Sequence, residues 1–141
     1  MAAKEPVPIK HPPDEKLAAL YGRVVELAMR LPGVVESRSY GTPAIKVKRR
    51  LLARLRSEAE GGLAIQCDFM EREMLLQAAP ETFYITDHYA DYPMVLVNLE
   101  TVRWEAMPGI LEHGWRQVAT PALVKELEAS SEVTPDKVRS G

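Results

Sequence analysis

Between residues 38 and 56 the chain carries seven basic side chains and no acidic one: Arg38, Lys46, Lys48, Arg49, Arg50, Arg54 and Arg56. Cations at this density neutralise phosphate. Their chemistry is recognition of an anionic partner, with nucleic acid the leading candidate. The basicity is local, because the 141-residue chain as a whole has a formal net charge of -2. Residues 1–56 hold 12 Lys/Arg against 5 Asp/Glu, and residues 57–141 hold 6 against 15.

Two polar-aromatic turns offer other chemistry. One is Ser39-Tyr40-Gly41-Thr42-Pro43, and the other is the loop 87–93 with His88, Tyr89 and Tyr92. Tyr40, Thr42, His88, Tyr89 and Tyr92 would line a ligand pocket if the turns meet in space. His88 beside Asp87 or Asp91 could form an acid–base pair, with Ser39 or Thr42 as nucleophile. The competing explanation is turn chemistry, in which hydroxyls and carboxylates bond local amides. The chain has no Gly-X-Ser-X-Gly elbow and no phosphate-binding glycine motif, so no catalytic residue is assigned and a non-enzyme is expected. His11, His88 and His113 are scattered and Cys67 stands alone, so neither a metal site, a cofactor nor a disulfide is expected. Of the aromatics able to stack on bases, Trp115 lies on an apolar helical stripe and reads as core, whereas Tyr89 and Tyr92 sit in a loop.

These groups need a scaffold. Length and composition fit one domain with a real core, spanning residues 14–129. Residues 1–13, with Pro6, Pro8, Pro12 and Pro13, read as a flexible leader, and residues 130–141 as a disordered tail. The leader has no apolar segment typical of a signal peptide, and no run is long enough to span a membrane. With one cysteine, a cytoplasmic location fits, and a monomer is favoured. Leu17, Leu20, Tyr21, Val24, Leu27, Ala28 and Leu31 recur at helical spacing up to Pro32-Gly33. Residues 34–40, 44–47, 51–55 and 63–67 are β-prone. A second helix follows Asp68, with Glu71 at capping-box spacing, and ends at Pro80. Residues 82–86 and 94–99 read as strands. Helical pattern resumes after Pro108, and Thr120-Pro121 opens a last helix to about residue 129. The order α-β-β-β-β-α-β-β-α-α, with short connections, predicts an α+β fold with an antiparallel sheet.

Residues 43–56 read as a hairpin whose loop length decides where the cations point. A three-residue loop of Lys48, Arg49 and Arg50 puts Val47 opposite Leu51. It sends Ile45, Val47, Leu51, Ala53 and Leu55 inward, with Lys46, Arg54 and Arg56 outward. A two-residue Arg49-Arg50 loop mixes the faces. Burial of one face favours the odd loop, although Arg50 is a poor residue for a left-handed position. The cations then serve either as a phosphate-binding wing or as solvated charge that discourages edge pairing.

Several segments together resemble the MmcQ/YjbR family of small bacterial proteins. They are Leu31-Pro32-Gly33-Val34 leading to Ser39-Tyr40-Gly41-Thr42-Pro43-Ala44, then Lys46-Val47, Leu51 and Ala53-Arg54-Leu55. Tyr89, Tyr92-Pro93-Met94-Val95-Leu96-Val97 and Trp115-Arg116 follow in order. The resemblance implies a fold likened to the double-wing DNA-binding domain of the phage transcription factor MotA, and hence DNA as a partner. It implies no catalytic residues. Two departures stand out. The family often has Gly in the turn after Lys46-Val47, here Lys48-Arg49-Arg50. It often runs Ala-Pro-Lys-Arg where this chain has Ala119-Thr120-Pro121-Ala122, so two cations are missing near the last helix. The expected function is DNA-backbone binding through Lys46, Lys48, Arg49, Arg50, Arg54 and Arg56. The alternative is a small-molecule or protein site at the Tyr40 and 87–93 turns.

Overall fold

The computed structural model describes residues 15–39, 41–56 and 62–132. The expected leader, Tyr40 and most of the tail lie outside the described residues. The elements are α1 (Glu15–Ala28), β1 (Val34–Ser39), β2 (Thr42–Val47), β3 (Arg50–Leu55), β4 (Leu63–Gln66), α2 (Phe69–Ala78), β5 (Phe83–Tyr84), β6 (Met94–Val97), α3 (Met107–Val118) and α4 (Pro121–Glu132). This is the expected α+β order. The last helix runs to Glu132 rather than ending near residue 129.

The strands form one six-stranded sheet in the order β1-β2-β3-β4-β6-β5, and every neighbouring pair is antiparallel. The sheet has two unequal faces. The first carries Val34, Ile45, Val47, Leu52, Leu55, Leu63, Ile65, Phe83, Val95 and Val97 into the main core. There they meet Tyr21, Val24 and Ala28 of α1 and the α3 stripe of Met107, Ile110, Leu111, Trp115 and Val118. The α3 spacing is that of one helical face, which explains why this segment is helical and which side it buries. Each large side chain so buried contributes roughly 1.5–3 kcal/mol. Gly114 lets α3 approach the sheet: a Cβ there would lie 2.6 Å from the Gln66 carbonyl oxygen and 3.1 Å from a Leu52 methyl.

The second face holds a small cluster of Ala64, Tyr89, Met94 and Leu96, with Leu51 and Tyr84 against it. It is covered by the segment 87–93, which opens with one 3-10 turn at Asp87–Tyr89.

Helix ends follow the sequence signals. Asp68 caps α2, its Oδ1 accepting the Glu71 N–H at 2.7 Å. The reciprocal half of the expected capping box is replaced, because the Asp68 N–H donates to His113 Nε2 at 3.4 Å. The Thr120 hydroxyl accepts the Leu123 N–H at the start of α4. Cys67 is buried, and burial, helped by the Glu71 and Asp68 carboxylates, pushes its thiol up to about 12. It is an inert core residue, as its alternation with Leu63 and Ile65 predicts.

Candidate nucleic-acid interface

The hairpin departs from both expected loops. Val47 pairs with Arg50, so the turn is Lys48-Arg49, two residues long. Lys48 takes φ 58, the sole positive φ at a non-glycine among the described residues. A tight turn between right-twisted strands needs such a residue, and here the strain falls on Lys48 instead of Arg50. The turn is held from outside, since the Lys48 N–H donates to the Gly33 carbonyl at 2.8 Å. Gly33 has φ +77, and a Cβ there would meet Leu123 at 2.8 Å.

The ladder then shifts by one residue between Ile45 and Lys46, from Lys46↔Leu51 to Ile45↔Ala53. Leu52 is the extra residue. It turns inward and is fully buried, whereas the odd loop would have sent it outward and buried Leu51. Leu51 instead joins the second face. The physical reason is that an added residue in one strand flips the following side chains. Beyond the shift, the register is the one the odd loop would have produced. Lys46, Arg54 and Arg56 therefore do share a face, the second one, despite the even turn.

Relief of the Lys48 strain is measurable. Lys48→Gly is expected to raise stability by about 0.5 kcal/mol, because ~1–2 kcal/mol of left-handed strain exceeds the ~0.5–1 kcal/mol entropic cost of Gly. Urea denaturation checks it. Arg50→Gly is expected to destabilise instead, which distinguishes the two-residue turn from a three-residue loop.

The six expected contact residues divide. Lys48, Arg49 and Arg50 are exposed at the tip, and Lys46 is half-buried beside Val35 and Leu51. None of these four makes an ion pair or side-chain hydrogen bond among the described residues. Ion pairs among the described residues include Lys16–Glu100, Arg103–Glu105, His113–Asp68, Arg116–Glu112 and Arg116–Glu128. Arg54 and Arg56 are engaged elsewhere. Arg54 Nη1 donates to Tyr89 Oη at 3.0 Å and its Nε to the Ser39 carbonyl at 3.4 Å. Arg56 is buried, its guanidinium 5.5 Å from the centre of the Tyr89 ring. Arg30 is exposed three residues before Gly33, on the loop that holds the tip. It lies outside the basic run, and the signal for it was the Pro32-Gly33 turn, which has to fold back onto β1.

The two polar-aromatic turns meet through Arg54, which bridges Ser39 of one and Tyr89 of the other. Of the five pocket candidates, Tyr40 lies outside the described residues. Thr42 is buried, its hydroxyl donating to the Ser39 carbonyl at 2.9 Å. Tyr89 is buried too, leaving His88 and Tyr92 exposed. The His88 ring stands edge-on to Tyr89 at 4.8 Å and tilted to Tyr92 at 5.8 Å. Among the described residues neither Asp87 nor Asp91 pairs with His88, so the acid–base arrangement is not assembled. Trp115 is core, as its stripe position predicts, and Trp104 lies half-buried under Arg23, 4.1 Å from its ring centre.

Sequence reasoning missed Arg72. It is buried, and its Nη1 donates to the carbonyls of Tyr89, Tyr92 and Met94 at 3.1, 2.8 and 3.1 Å. Its Nη2 donates to the Ala90 carbonyl at 3.0 Å. One guanidinium thus organises the whole segment that covers the second face. The available signal was positional: Arg72, Leu75, Leu76 and Ala79 lie along one side of α2, and the latter three pack on the core.

A helix-backed antiparallel sheet, a loop clamped across its other face and a basic hairpin tip define a small α+β domain whose exposed chemistry is cationic and aromatic. The YjbR family model matches residues 29–117, and the chain belongs to that family. A solved structure agrees in fold. The Deinococcus radiodurans protein DR2400, described by the family domain DUF419, is 26% identical, with 73% of this chain and 83% of that chain covered and a TM-score of 0.59. No curated protein matches.

Proposed function

We propose that the protein is a non-enzymatic nucleic-acid-binding module, bacterial and cytoplasmic, that grips the phosphate backbone of duplex DNA with the tip of the β2–β3 hairpin. The observation that supports this reading is the set Lys46, Lys48, Arg49 and Arg50, with Arg30 nearby, gathered at one end of the sheet without carboxylate partners among the described residues. The acidic remainder of the chain repels DNA and confines contact to that end. Contacts of this kind give affinity and position without reading sequence. Arg54 and Arg56 act in the reading as supports for the Tyr89 loop, not as phosphate ligands.

Duplex-DNA titrations over a range of salt test it. Four neutralised phosphates correspond to a log–log slope of roughly −3 to −4. The Arg49→Glu/Arg50→Glu variant is expected to lose at least about tenfold in affinity and to flatten the slope by roughly 2, whereas Arg103→Glu, on the acidic part of the chain, leaves both unchanged. Absence of binding at low salt, or equal binding by the tip variant, would refute the proposal.

A second reading is favoured by the Arg54 bridge. The Ser39 turn and the Tyr89 loop do meet, and His88 and Tyr92 present aromatic surface there, as a site for a small molecule or protein partner would require.

A further inference from the structure

An antiparallel sheet in the order β1-β2-β3-β4-β6-β5 has β1 and β5 at its edges. β5 is two residues long, but β1 is a full six-residue strand. β1 pairs with β2 along its whole length without a register shift, and among the described residues no backbone hydrogen bond leaves it for any other segment. An open edge is a template for another strand, and proteins usually blunt it with proline, a bulge or charged side chains. β1 has no proline and no bulge, and its charges are one Glu and one Arg. Its residues are Val34, Val35, Glu36, Ser37, Arg38 and Ser39.

The two charges are of opposite sign and two residues apart, so they lie on one face of the strand. Glu36 pairs with buried Ile45, which places that face on the helix-backed side. Both are exposed, and neither forms an ion pair among the described residues. On the other face Val35 leaves 45% of its surface open. Residues opposite each other in an antiparallel pair sit on the same face, and opposite charges there attract.

We propose that β1 is the contact surface for a second copy of this chain, pairing antiparallel with β1 of that copy about a two-fold axis at Ser37. Glu36 of each copy then faces Arg38 of the other, twice by symmetry. Val35 faces Ser39. The interface is isologous and closes at two copies, and it joins two sheets into one continuous sheet. A monomer is what the sequence favours on its own, because the edge position of β1 becomes visible only in the strand order. The inference does not depend on nucleic-acid binding.

Sedimentation velocity on the full chain at low salt, from micromolar to millimolar, tests it. The mass is expected to climb from one chain towards two. Glu36→Arg alone and Arg38→Glu alone each replace two attractive pairs with two repulsive ones, and each is expected to weaken association by about tenfold. Mixing the two single variants in equal amounts recreates both attractive pairs and restores the wild-type constant, as does the doubly swapped chain with itself. Circular dichroism confirms that these exposed changes leave the fold intact. A wild type that stays monomeric throughout overturns the proposal. So does a single variant that associates as tightly as wild type, or a mixture that associates no better than its components.

Discussion

Arg72→Met is expected to destabilise the domain by about 3–5 kcal/mol, because it leaves several buried carbonyls without their donor. The guanidinium donates to the carbonyls of Tyr89, Ala90, Tyr92 and Met94. Met keeps much of the volume and removes every donor. Those carbonyls then face either burial without a partner, at ~1–3 kcal/mol each, or rearrangement towards water. The loss is less than their sum, because the mutation also removes the cost of burying a charge and because the loop can move. Natural domains have only about 5–15 kcal/mol in hand. The expected fall in melting temperature is therefore large, and urea denaturation measures the free energy directly. Arg72→Lys is expected to fall between wild type and Met, since a point ammonium cannot span carbonyls on both sides of a planar fork. The local consequence is release of Tyr89, the group to which Arg54 donates.

Trp115→Ala is expected to cost about 3–5 kcal/mol, as large-to-small substitutions at fully buried aromatics do. Trp115 is 0% exposed at the centre of the α3 stripe. It also has a polar duty: its indole Nε1 donates to the Pro32 carbonyl at 2.8 Å. Pro32 precedes Gly33, and the Gly33 carbonyl takes the Lys48 N–H at the hairpin tip. A helix on one side of the sheet thus steadies the basic turn through two hydrogen bonds and a glycine. Trp115→Phe separates the two roles. It keeps most of the apolar volume and loses the donor, at an expected ~1–2 kcal/mol for the orphaned carbonyl. Faster hydrogen exchange at the Lys48 amide in the Phe variant would show the tether; unchanged exchange would show that Trp115 acts by packing alone.

Much of the scaffold was legible in the chain. Periodicity marked α1 and α3, and Asp68 and Thr120 marked helix starts, because caps and stripes are local signals a few residues long. The alternation of Leu63, Ile65 and Cys67 identified a buried strand face. The hairpin was harder. Counting inward residues favoured an odd loop, and the chain satisfied the same burial by another route, a two-residue turn plus an extra residue at Leu52. Both routes bury an apolar face, so pattern alone does not separate them. Arg72 was illegible for a different reason. A charged residue on an inward stripe makes sense only once the carbonyls it serves, around 20 residues further along the chain, are known.

The sequence by itself determined the element order, the antiparallel α+β class, the family likeness and the presence of a cationic segment, since each follows from local composition and spacing. Only the tertiary structure decided which cations remain at the surface. Lys48, Arg49 and Arg50 stay in solvent because a tight turn ends the sheet there, with Lys46 half-buried beside them. Arg54 and Arg56 are drawn in because Tyr89, brought across by Arg72, supplies a phenol oxygen and a ring against which guanidinium groups rest. The charge of a side chain is written in its identity. Whether that charge meets solvent, a carboxylate or an aromatic ring depends on contacts between segments far apart in the chain.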